Sequence, residues 1–492
     1  MIPLPLEEIA RITGARLDGG ADPSAVVVGP VVIDSRRAAP GGLFAAVAGE
    51  RADGHDFAVA AIAAGAVAVL GTRPCGAPAL IVADVPVALA RLAQEVVARL
   101  PEVTIAGITG SSGKTSAKDL TAQLVERLGP TVAPEGSYNN EFGFPLTVLR
   151  ADERTRYMVL ELAARGVGHI ASLCEIAPPR IGAVLNVGHA HTGEFGGIER
   201  VARAKGELPA ALPAAGAGGV AILNADDPRV MAMATSARIV TFGLGATASS
   251  ANPTSPTSHS GLTRAASTTA LDFTATDLSL DDLGRPSFTL VTPAGTAPVR
   301  LALHGAHHVP NALAAAVIAA ELGLGLADIS AGLSAATARS KWRMEVGRTV
   351  DGVTVVNDAY NANPESVRAA LDTLGHMARG RRSFAVLGQM AELGEESRAS
   401  HVAAGALAAG TGVTGLIVVG KEAEPILVGA LAADGWRGEA IGVPDGPGAI
   451  AALRGRLADG DVVLVKASRA AGLESVAAAL LGGPDLVKEK AQ

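Results

Sequence analysis

The chain has 492 residues, of which 49% are hydrophobic and 18% charged, which excludes a disordered chain and predicts two to four domains. Its formal net charge of −7 argues against nucleic acid or an anionic membrane as a partner. The two cysteines, Cys75 and Cys174, are too few for a disulfide framework or a zinc site, so we expect a reduced, cytoplasmic compartment.

The first segment, 1–100, alternates short apolar runs such as VVVGPVVI and ALIVAD with alanine-rich stretches. This pattern predicts a small α/β domain that ends near Pro101. The most apolar stretch, 57–70, is shorter than the roughly 20 residues of a membrane span. It is typical of a helix followed by a buried strand, so we expect no membrane insertion. The start, MIPLPLEEIA, lacks the basic region of a signal peptide.

The second segment, 101–339, opens with the strand-like run VTIAGITG and a predicted helix over 116–128. Four further apolar runs, YMVLEL, IGAVLNVG, GVAILNAD and ARIVTFG, predict strands of one parallel-type sheet. Residues 246–270 are rich in Ser, Thr, Ala and Pro and indicate a flexible insertion without chemistry. The strand-like runs LDFTATDL and PSFTLVTP and a helix over 310–323 complete this segment.

The third segment, 340–492, contains VTVVNDAY, SFAVLGQM, GLIVVG and DVVLVKAS, each followed by helix-forming sequence. This order predicts a second doubly wound α/β domain of the Rossmann type. Lys466 follows the last apolar run, where ligands of such sheets often approach.

A phosphate-binding loop is the strongest local signal. Residues 107–116 read GITGSSGKTS and lie between a predicted strand and a predicted helix. Glycines let backbone N–H groups surround an anion, Lys114 supplies a positive charge, and the Thr115 hydroxyl can meet Mg²⁺. The strict loop pattern is not met, because Ile108 stands where its first glycine belongs. A Gly/Ser-rich turn that binds nothing is the alternative, and the loop alone does not separate a kinase, a GTPase and a ligase.

Polar residues also end two other apolar runs. Glu161 follows YMVL, and Asn186, His189 and His191 follow IGAVL. A carboxylate at a strand end can bind Mg²⁺, but Glu161 alone is equally typical of a helix start. Histidines are more often structural than functional, and Lys205, on a predicted helix, would by default be a solvated surface lysine.

Taken together, these features resemble the Mur ligases of bacterial cell-wall synthesis, and within them the type that adds D-alanyl-D-alanine. The resemblance covers nearly the whole chain and is carried by residues 34–36, 42–44, 53–57, 107–116, 138–147, 304–313 and 357–366. It implies a three-domain α/β architecture: a small N-terminal domain that binds a UDP-linked substrate, a central P-loop ATPase-type parallel sheet, and a C-terminal Rossmann-like domain.

The resemblance also implies residue roles. ATP would be bound by Gly110, Ser111, Ser112, Gly113, Lys114, Thr115, Ser116, Asn311, Arg343, Asp358 and Tyr360. Two Mg²⁺ ions would be held by Thr115, Glu161, His191 and a Lys205 that is carbamylated to an anion. Catalysis would rest on Lys114, Lys205, His191 and Arg343. The substrates would meet Ser35, Arg36, Asn139, Asn140, Asn361 and Asn363.

The reaction implied is the ATP-dependent joining of D-alanyl-D-alanine to UDP-N-acetylmuramoyl-tripeptide through an acyl phosphate, by a cytoplasmic monomer. A family member that adds the third amino acid is the nearest alternative, although DAYNANPES stands where an Asp-Asn-Pro-Arg motif would mark one such type. A P-loop kinase or other NTPase, and a non-catalytic binding protein, are further alternatives. The sequence departs from the family pattern at His308, Trp342, Gln389 and Ala467, where Trp342 replaces a usual glycine.

Overall fold

The structure, a computed structural model, describes residues 1–49, 52–189, 192–245 and 271–482. Three large β-sheets, each with its own helices, follow one another along the described chain, and a two-stranded sheet accompanies the first of them. The predicted insertion at 246–270 and the predicted metal ligand His191 lie outside the described residues.

The N-terminal part contains a five-stranded sheet of order β2-β7-β6-β5-β4 and a separate antiparallel pair, β1–β3. In the larger sheet, β2 is antiparallel to β7 and the remaining pairs are parallel. Its elements are β1 (Leu4–Pro5), α1 (Leu6–Thr13), β2 (Arg16–Asp18), β3 (Val26–Val27), β4 (Val31–Val32), β5 (Leu43–Ala45), α2 (Ala58–Ala63), β6 (Ala68–Gly71), β7 (Ala79–Ile81) and α3 (Val85–Ala98).

The central part is a nine-stranded sheet of order β16-β15-β14-β13-β12-β11-β8-β10-β9. Strands β8 to β14 pair in parallel, whereas β14, β15 and β16 form an antiparallel edge. Its strands are β8 (Thr104–Thr109), β9 (Thr131–Val132), β10 (Tyr157–Glu161), β11 (Ile181–Val184), β12 (Val220–Asn224), β13 (Arg238–Gly243), β14 (Phe273–Leu280), β15 (Pro286–Thr292) and β16 (Gly295–Arg300). Its helices are α4 (Lys114–Val125), α5 (Gly143–Val148), α6 (His169–Ile176), α7 (Thr192–Phe195), α8 (Ile198–Ala211), α9 (Pro228–Met231), α10 (His308–Glu321) and α11 (Leu326–Ala335).

The C-terminal part is a six-stranded sheet of order β17-β18-β22-β19-β20-β21, parallel except for the edge pair β17–β18. Its strands are β17 (Glu345–Arg348), β18 (Thr354–Asn357), β19 (Ser383–Leu387), β20 (Gly415–Val419), β21 (Glu439–Val443) and β22 (Val462–Lys466). Its helices are α12 (Pro364–Met377), α13 (Ser397–Gly410), α14 (Pro425–Leu431), α15 (Gly446–Arg454) and α16 (Glu474–Leu480).

Helices cover both faces of the central and C-terminal sheets, so their inner strands are mostly apolar and are buried along their whole length. Every residue of β11, β12 and β22 is buried, as parallel strands covered on both faces require. One apolar cluster runs from Leu92 in α3 to Leu160 and Ile170 in the central part. The N-terminal part is therefore anchored by α3 against one face of the central sheet.

The structure confirms the predicted α/β class and most predicted elements. The helix expected over 116–128 is α4, which begins two residues earlier at Lys114, and the helix expected over 310–323 is α10. The stretch 57–70 contains α2 and most of β6, as predicted. Within the described residues, no helix is both long and apolar enough to cross a membrane. Strands β16, β17 and β21 carried no clear sequence signal, because each lies at the edge of its sheet, where β16 has one buried residue and β17 and β21 have none.

Candidate active site

A cleft of about 1040 Å³ lies between the three parts of the chain. Its walls include α3 from the N-terminal part, residues 111–116 from the central part, and residues 358–366 from the C-terminal part. Because the central and C-terminal sheets are parallel, the polar residues that follow their strands converge here.

The loop between β8 and α4 has the shape of an anion-binding turn. Gly113 precedes α4 with a left-handed φ of 81°, which a residue with a side chain would adopt only with strain. A Cβ atom on Gly113 would also lie 2.3 Å from Asn311 Oδ1. Glycine at this position therefore serves both the turn and the close approach of α10.

Asn186 holds this loop from the end of β11. Its Oδ1 accepts hydrogen bonds from the backbone N–H of Ser111 at 3.0 Å and of Ser112 at 2.9 Å, and its Nδ2 donates to the Ser112 carbonyl at 3.2 Å. The Ser111 hydroxyl also bonds both the carbonyl and the N–H of Gly188. The segment after β11 thus sets the conformation of the loop.

Two side chains of the loop face charged or hydroxyl groups. Lys114 Nζ donates to the Gly110 carbonyl at 2.7 Å. Burial lowers the pKa of Lys114, the Glu161 carboxylate opposes this effect, and the Arg343 guanidinium adds to it. Thr115 is buried, and its Oγ1 lies 3.2 Å from Ser137 Oγ. Lys114 is therefore close enough to Glu161 and to Arg343 for both charges to change its pKa.

Glu161, at the end of β10, is 1% exposed. Its Oε1 accepts from Asn139 Nδ2 at 2.6 Å, and its Oε2 is covered without a hydrogen-bond partner among the described residues. Lys205 on α8 is 4% exposed. Burial lowers its pKa well below the ordinary value, with Lys114 as a second cause. Within the described ranges, no hydrogen bond or ion pair involves Lys205 Nζ. Because the side chain is buried, Lys205 is not a solvated surface lysine.

Arg343 reaches the central part from the start of the C-terminal part. Its Nη2 donates to Ser137 Oγ at 3.0 Å, and its Cζ lies 4.2 Å from the centre of the Tyr360 ring. Its Nε is covered and has no hydrogen-bond partner among the residues that the structure describes. Arg343 thus contributes a donor group at the junction between the two parts.

The neighbours of Arg343 have unusual backbone angles. Trp342 and Met344 both have positive φ, at 59° and 51°. The left-handed region costs a residue with a side chain about 1–2 kcal/mol, so glycine would be the least strained residue at 342. The guanidinium of Arg469 lies 4.0 Å from the Trp342 ring, a contact that offsets about 0.5–1 kcal/mol of this cost.

The C-terminal wall of the cleft carries an ion pair between a buried lysine and a partly buried aspartate. Lys466 Nζ lies 2.5 Å from Asp358 Oδ2 and donates to the Asn361 carbonyl at 2.9 Å. Opposite, His307 and His308 stack with ring centres 4.2 Å apart. Burial lowers the pKa of His307 to about 4 and that of His308 well below its ordinary value, so both imidazoles are neutral at pH 7.

Family models match three consecutive stretches of the chain. Residues 28–102 match the Mur ligase family catalytic domain, 108–319 the Mur ligase middle domain, and 342–469 the Mur ligase glutamate ligase domain. A UDP-N-acetylmuramoyl-tripeptide–D-alanyl-D-alanine ligase of Mycobacterium tuberculosis is 47% identical, over 98% of each chain. The chain belongs to the Mur ligase family. The ligase of the same name from Escherichia coli is 36% identical over 98% of this chain and 99% of its own.

Solved structures agree with this assignment. The crystal structure of MurF from Acinetobacter baumannii superposes with a TM-score of 0.81 at 29% identity and covers 98% of this chain and 99% of its own. MurF ligase from Thermotoga maritima, solved in complex with ADP, has a TM-score of 0.73 at 28% identity, over 92% of this chain and 96% of its own. The predicted Mur ligase architecture of three α/β domains is confirmed.

Most residues predicted for the Mur ligase site line one cleft. They are Ser111, Ser112, Gly113, Lys114, Thr115, Ser116, Asn139, Asn140, Glu161, Asn311, Arg343, Asp358, Tyr360, Asn361 and Asn363. Gly110 lies just behind this wall, where its carbonyl accepts from Lys114. Lys205 is not at the cleft surface, but the positive charge of Lys114 helps to lower its pKa.

Two predicted substrate residues, Ser35 and Arg36, lie apart from the cleft wall. They form a short 3₁₀ helix (Ser35–Arg37) in the N-terminal domain of this Mur ligase, where Asp34 accepts from the Arg36 backbone and guanidinium. Two other predicted substrate residues have structural contacts. Asn140 Oδ1 accepts from the Gly143 N–H at the start of α5, and Asn363 caps α12 in a capping box with Ser366.

The structure also adds residues to the set predicted from the sequence. Asn186 shapes the phosphate loop, Ser137 joins Thr115 to Arg343, and Lys466 pairs with Asp358. Asn186 lies just after β11 and Lys466 ends β22; the sequence already placed both at strand ends, but it gave neither a role. Ser137 lies in a loop without regular structure, and no sequence pattern marks it.

Proposed function

We propose that this Mur ligase joins D-alanyl-D-alanine to UDP-N-acetylmuramoyl-tripeptide and that ATP is cleaved to ADP and phosphate in the same reaction. The 47% identity to a ligase of that name over 98% of both chains carries the proposal. The cleft supports it, because the phosphate loop, Glu161 and Arg343 line one space between the three domains.

The reaction brings a substrate carboxylate to the γ-phosphate of ATP. The carboxylate oxygen bonds to phosphorus, the bond to the ADP oxygen breaks, and an acyl phosphate forms. The dipeptide amine then bonds to the acyl carbon, the amine loses a proton, and phosphate leaves. Lys114 and Arg343 would neutralise the repulsion between the two anions and the charge that develops on the transferred phosphoryl group.

Mg²⁺ would be held next to the loop by Thr115, Glu161, His191 and a modified Lys205, in two sites. Glu161 Oε2 is covered, and no described residue donates a hydrogen bond to it. This oxygen is therefore available to bind a cation. The described residues contain no group of three His, Cys, Asp or Glu side chains that could hold a metal ion. The fourth predicted ligand, His191, lies outside them. When bound, Mg²⁺ would supply positive charge to the phosphate oxygens.

Lys205 is proposed to carry a carbamate. Its burial favours the neutral amine, which is the form that bonds to the carbon of CO₂ with loss of a proton. The product is an anion that could bind a hard cation, as an ammonium could not. Growth or incubation with ¹³CO₂ should yield a carbamate carbon signal in the wild type that Lys205→Ala lacks. Equal spectra would refute the modification.

The domain boundaries at 100/101 and 339/340, a cytoplasmic location, and a monomer without nucleic-acid partners remain part of this proposal. The short linking segments support both boundaries. The first lies between the end of α3 at Ala98 and the start of β8 at Thr104, and the second lies between the end of α11 at Ala335 and the start of β17 at Glu345.

The test measures phosphate release by the purified protein with ATP, Mg²⁺ and UDP-N-acetylmuramoyl-tripeptide, with and without D-alanyl-D-alanine. Dipeptide-dependent release with a pentapeptide product by mass is expected, and Lys114→Met should abolish it. If phosphate is released only with UDP-N-acetylmuramoyl-dipeptide and a diamino acid, the protein catalyses the preceding step, the addition of the third amino acid. Release that needs neither substrate would refute both reactions.

A further inference from the structure

Glu365, the second residue of α12, connects the C-terminal domain to the central one. Its Oε1 accepts from the backbone N–H of His189 at 2.9 Å and lies 2.9 Å from His189 Nδ1. A Cβ on Gly188 would lie 2.8 Å from the carboxylate, so only glycine lets the side chain lie against this loop. Glu365 therefore lies at the carboxyl end of β11, an inner strand of the central sheet, near the phosphate loop that Asn186 and Gly188 support.

The second oxygen of this carboxylate has no assigned role. Glu365 Oε2 is covered and has no hydrogen-bond partner among the described residues. A covered polar atom without a partner costs free energy, and natural structures retain such groups for a reason such as ligand binding. The side chain as a whole is 37% exposed and lines the cleft.

The other carboxylates that line the cleft differ from Glu365. Asp358 is neutralised by Lys466 and also accepts from the Met344 N–H. Glu161 lies on the central domain and is assigned to the cation. Glu141 is exposed on the central domain. Glu365 is thus the C-terminal domain's carboxylate at the cleft that has no lysine or arginine partner among the residues the structure describes; its Oε1 faces the His189 imidazole instead.

We propose that Glu365 binds the ammonium group of the incoming dipeptide, which rests on the proposed function. The acyl phosphate forms over the phosphate loop of the central domain, so the amine must approach from the facing wall. A carboxylate at the contact between the two domains attracts an ammonium group there through a charge-assisted hydrogen bond. Because Glu365 contacts His189, the ammonium group would be held at the carboxyl ends of the central strands.

Two further contacts hold the same pair of domains together without Glu365. The Gly193 N–H donates to the Glu392 carbonyl at 3.2 Å, and His376 Nε2 lies 2.9 Å from the Asp281 carbonyl. Glu365→Gln keeps an oxygen that can accept from the His189 N–H, so this variant should preserve domain docking while it removes the charge.

The experiment compares two nucleophiles. D-alanyl-D-alanine enters as an ammonium ion, whereas hydroxylamine is mainly neutral at pH 7 and traps the acyl phosphate as a hydroxamate. In Glu365→Gln, KM for the dipeptide should rise about 10- to 100-fold, while KM for ATP and the rate of hydroxamate formation should not change. Glu365→Asp, which keeps the charge on a shorter side chain, should fall between the two.

Glu422→Gln, on an exposed turn of the same domain, is the matched control and should behave as wild type. An unchanged KM for the dipeptide in Glu365→Gln would overturn the proposal. An equal loss with both nucleophiles would also overturn it, because Glu365 would then only dock the domains. If the wild type forms hydroxamate but no pentapeptide product, the proposed function itself fails, and the assignment of Glu365 fails with it.

Discussion

Replacing Asn186 with alanine should weaken ATP binding without touching any atom that contacts the nucleotide in our proposal. The substitution removes three hydrogen bonds to the phosphate loop, at 2.9, 3.0 and 3.2 Å. Each contributes about 0.5–1.5 kcal/mol net. Because Asn186 is only half-buried, water replaces part of this, and we expect a loss of about 2 kcal/mol, or roughly 30-fold in affinity.

Calorimetric titration with a non-hydrolysable ATP analogue measures this effect directly. Gln123→Ala is the matched control, because the Gln123 amide also makes three hydrogen bonds, to Asp119 and Thr337, further along α4. It should lower thermal stability but leave the analogue's Kd unchanged. An Asn186→Ala protein that binds the analogue as tightly as wild type would refute the view that this side chain orders the loop.

Asn186→Asp separates loop order from charge. The carboxylate can still accept from both loop N–H groups, but it places a negative charge where the phosphates bind. Its loss of affinity should therefore shrink as salt is added, since screening weakens the repulsion. The loss in Asn186→Ala should not depend on salt in this way.

Three other predictions concern residues in or behind the same cleft. Gly113→Ala should abolish measurable ATP binding while the far-ultraviolet circular dichroism stays unchanged, because its Cβ would meet Asn311 Oδ1 at 2.3 Å; retained binding would contradict this geometry. Lys466→Met should lower the free energy of unfolding by up to about 3 kcal/mol, since it leaves the partly buried Asp358 carboxylate without its cationic partner, and Lys466→Met with Asp358→Asn should recover much of the loss in denaturant titrations. In CO₂-free buffer, Lys205→Met should be more stable than wild type at pH 7. The folded-state pKa of Lys205 lies below its ordinary value of 10.5, so the folded wild type binds fewer protons than the unfolded chain. The stability of the wild type should therefore rise with pH, and its difference in unfolding free energy from Lys205→Met should shrink as pH approaches 10.5. A difference that does not vary with pH would contradict this titration of Lys205.

The sequence alone was sufficient for the fold class and for the phosphate loop. Strands such as β11 and β20 are apolar at every position because helices cover both faces of their sheets, and such runs are visible without a structure. The loop from Gly110 to Thr115 is contiguous, so its glycines, its lysine and the following helix could be recognised together. Helix limits were less certain by two or three residues, because ends depend on capping contacts such as those of Gly113.

Contacts between distant parts of the chain were decided by the tertiary structure. Ser112 and Asn186 are 74 residues apart, Asp358 and Lys466 108, and Ser137 and Arg343 206. These pairs form because parallel strands end at the same edge of a sheet and because two such edges face each other across the cleft. The periodicity of a sequence specifies which face of a strand is buried, but not which loop lies opposite another. For the same reason, Asn140 and Asn363 could be predicted near the substrates, whereas their capping contacts with α5 and α12 became visible only in the folded chain.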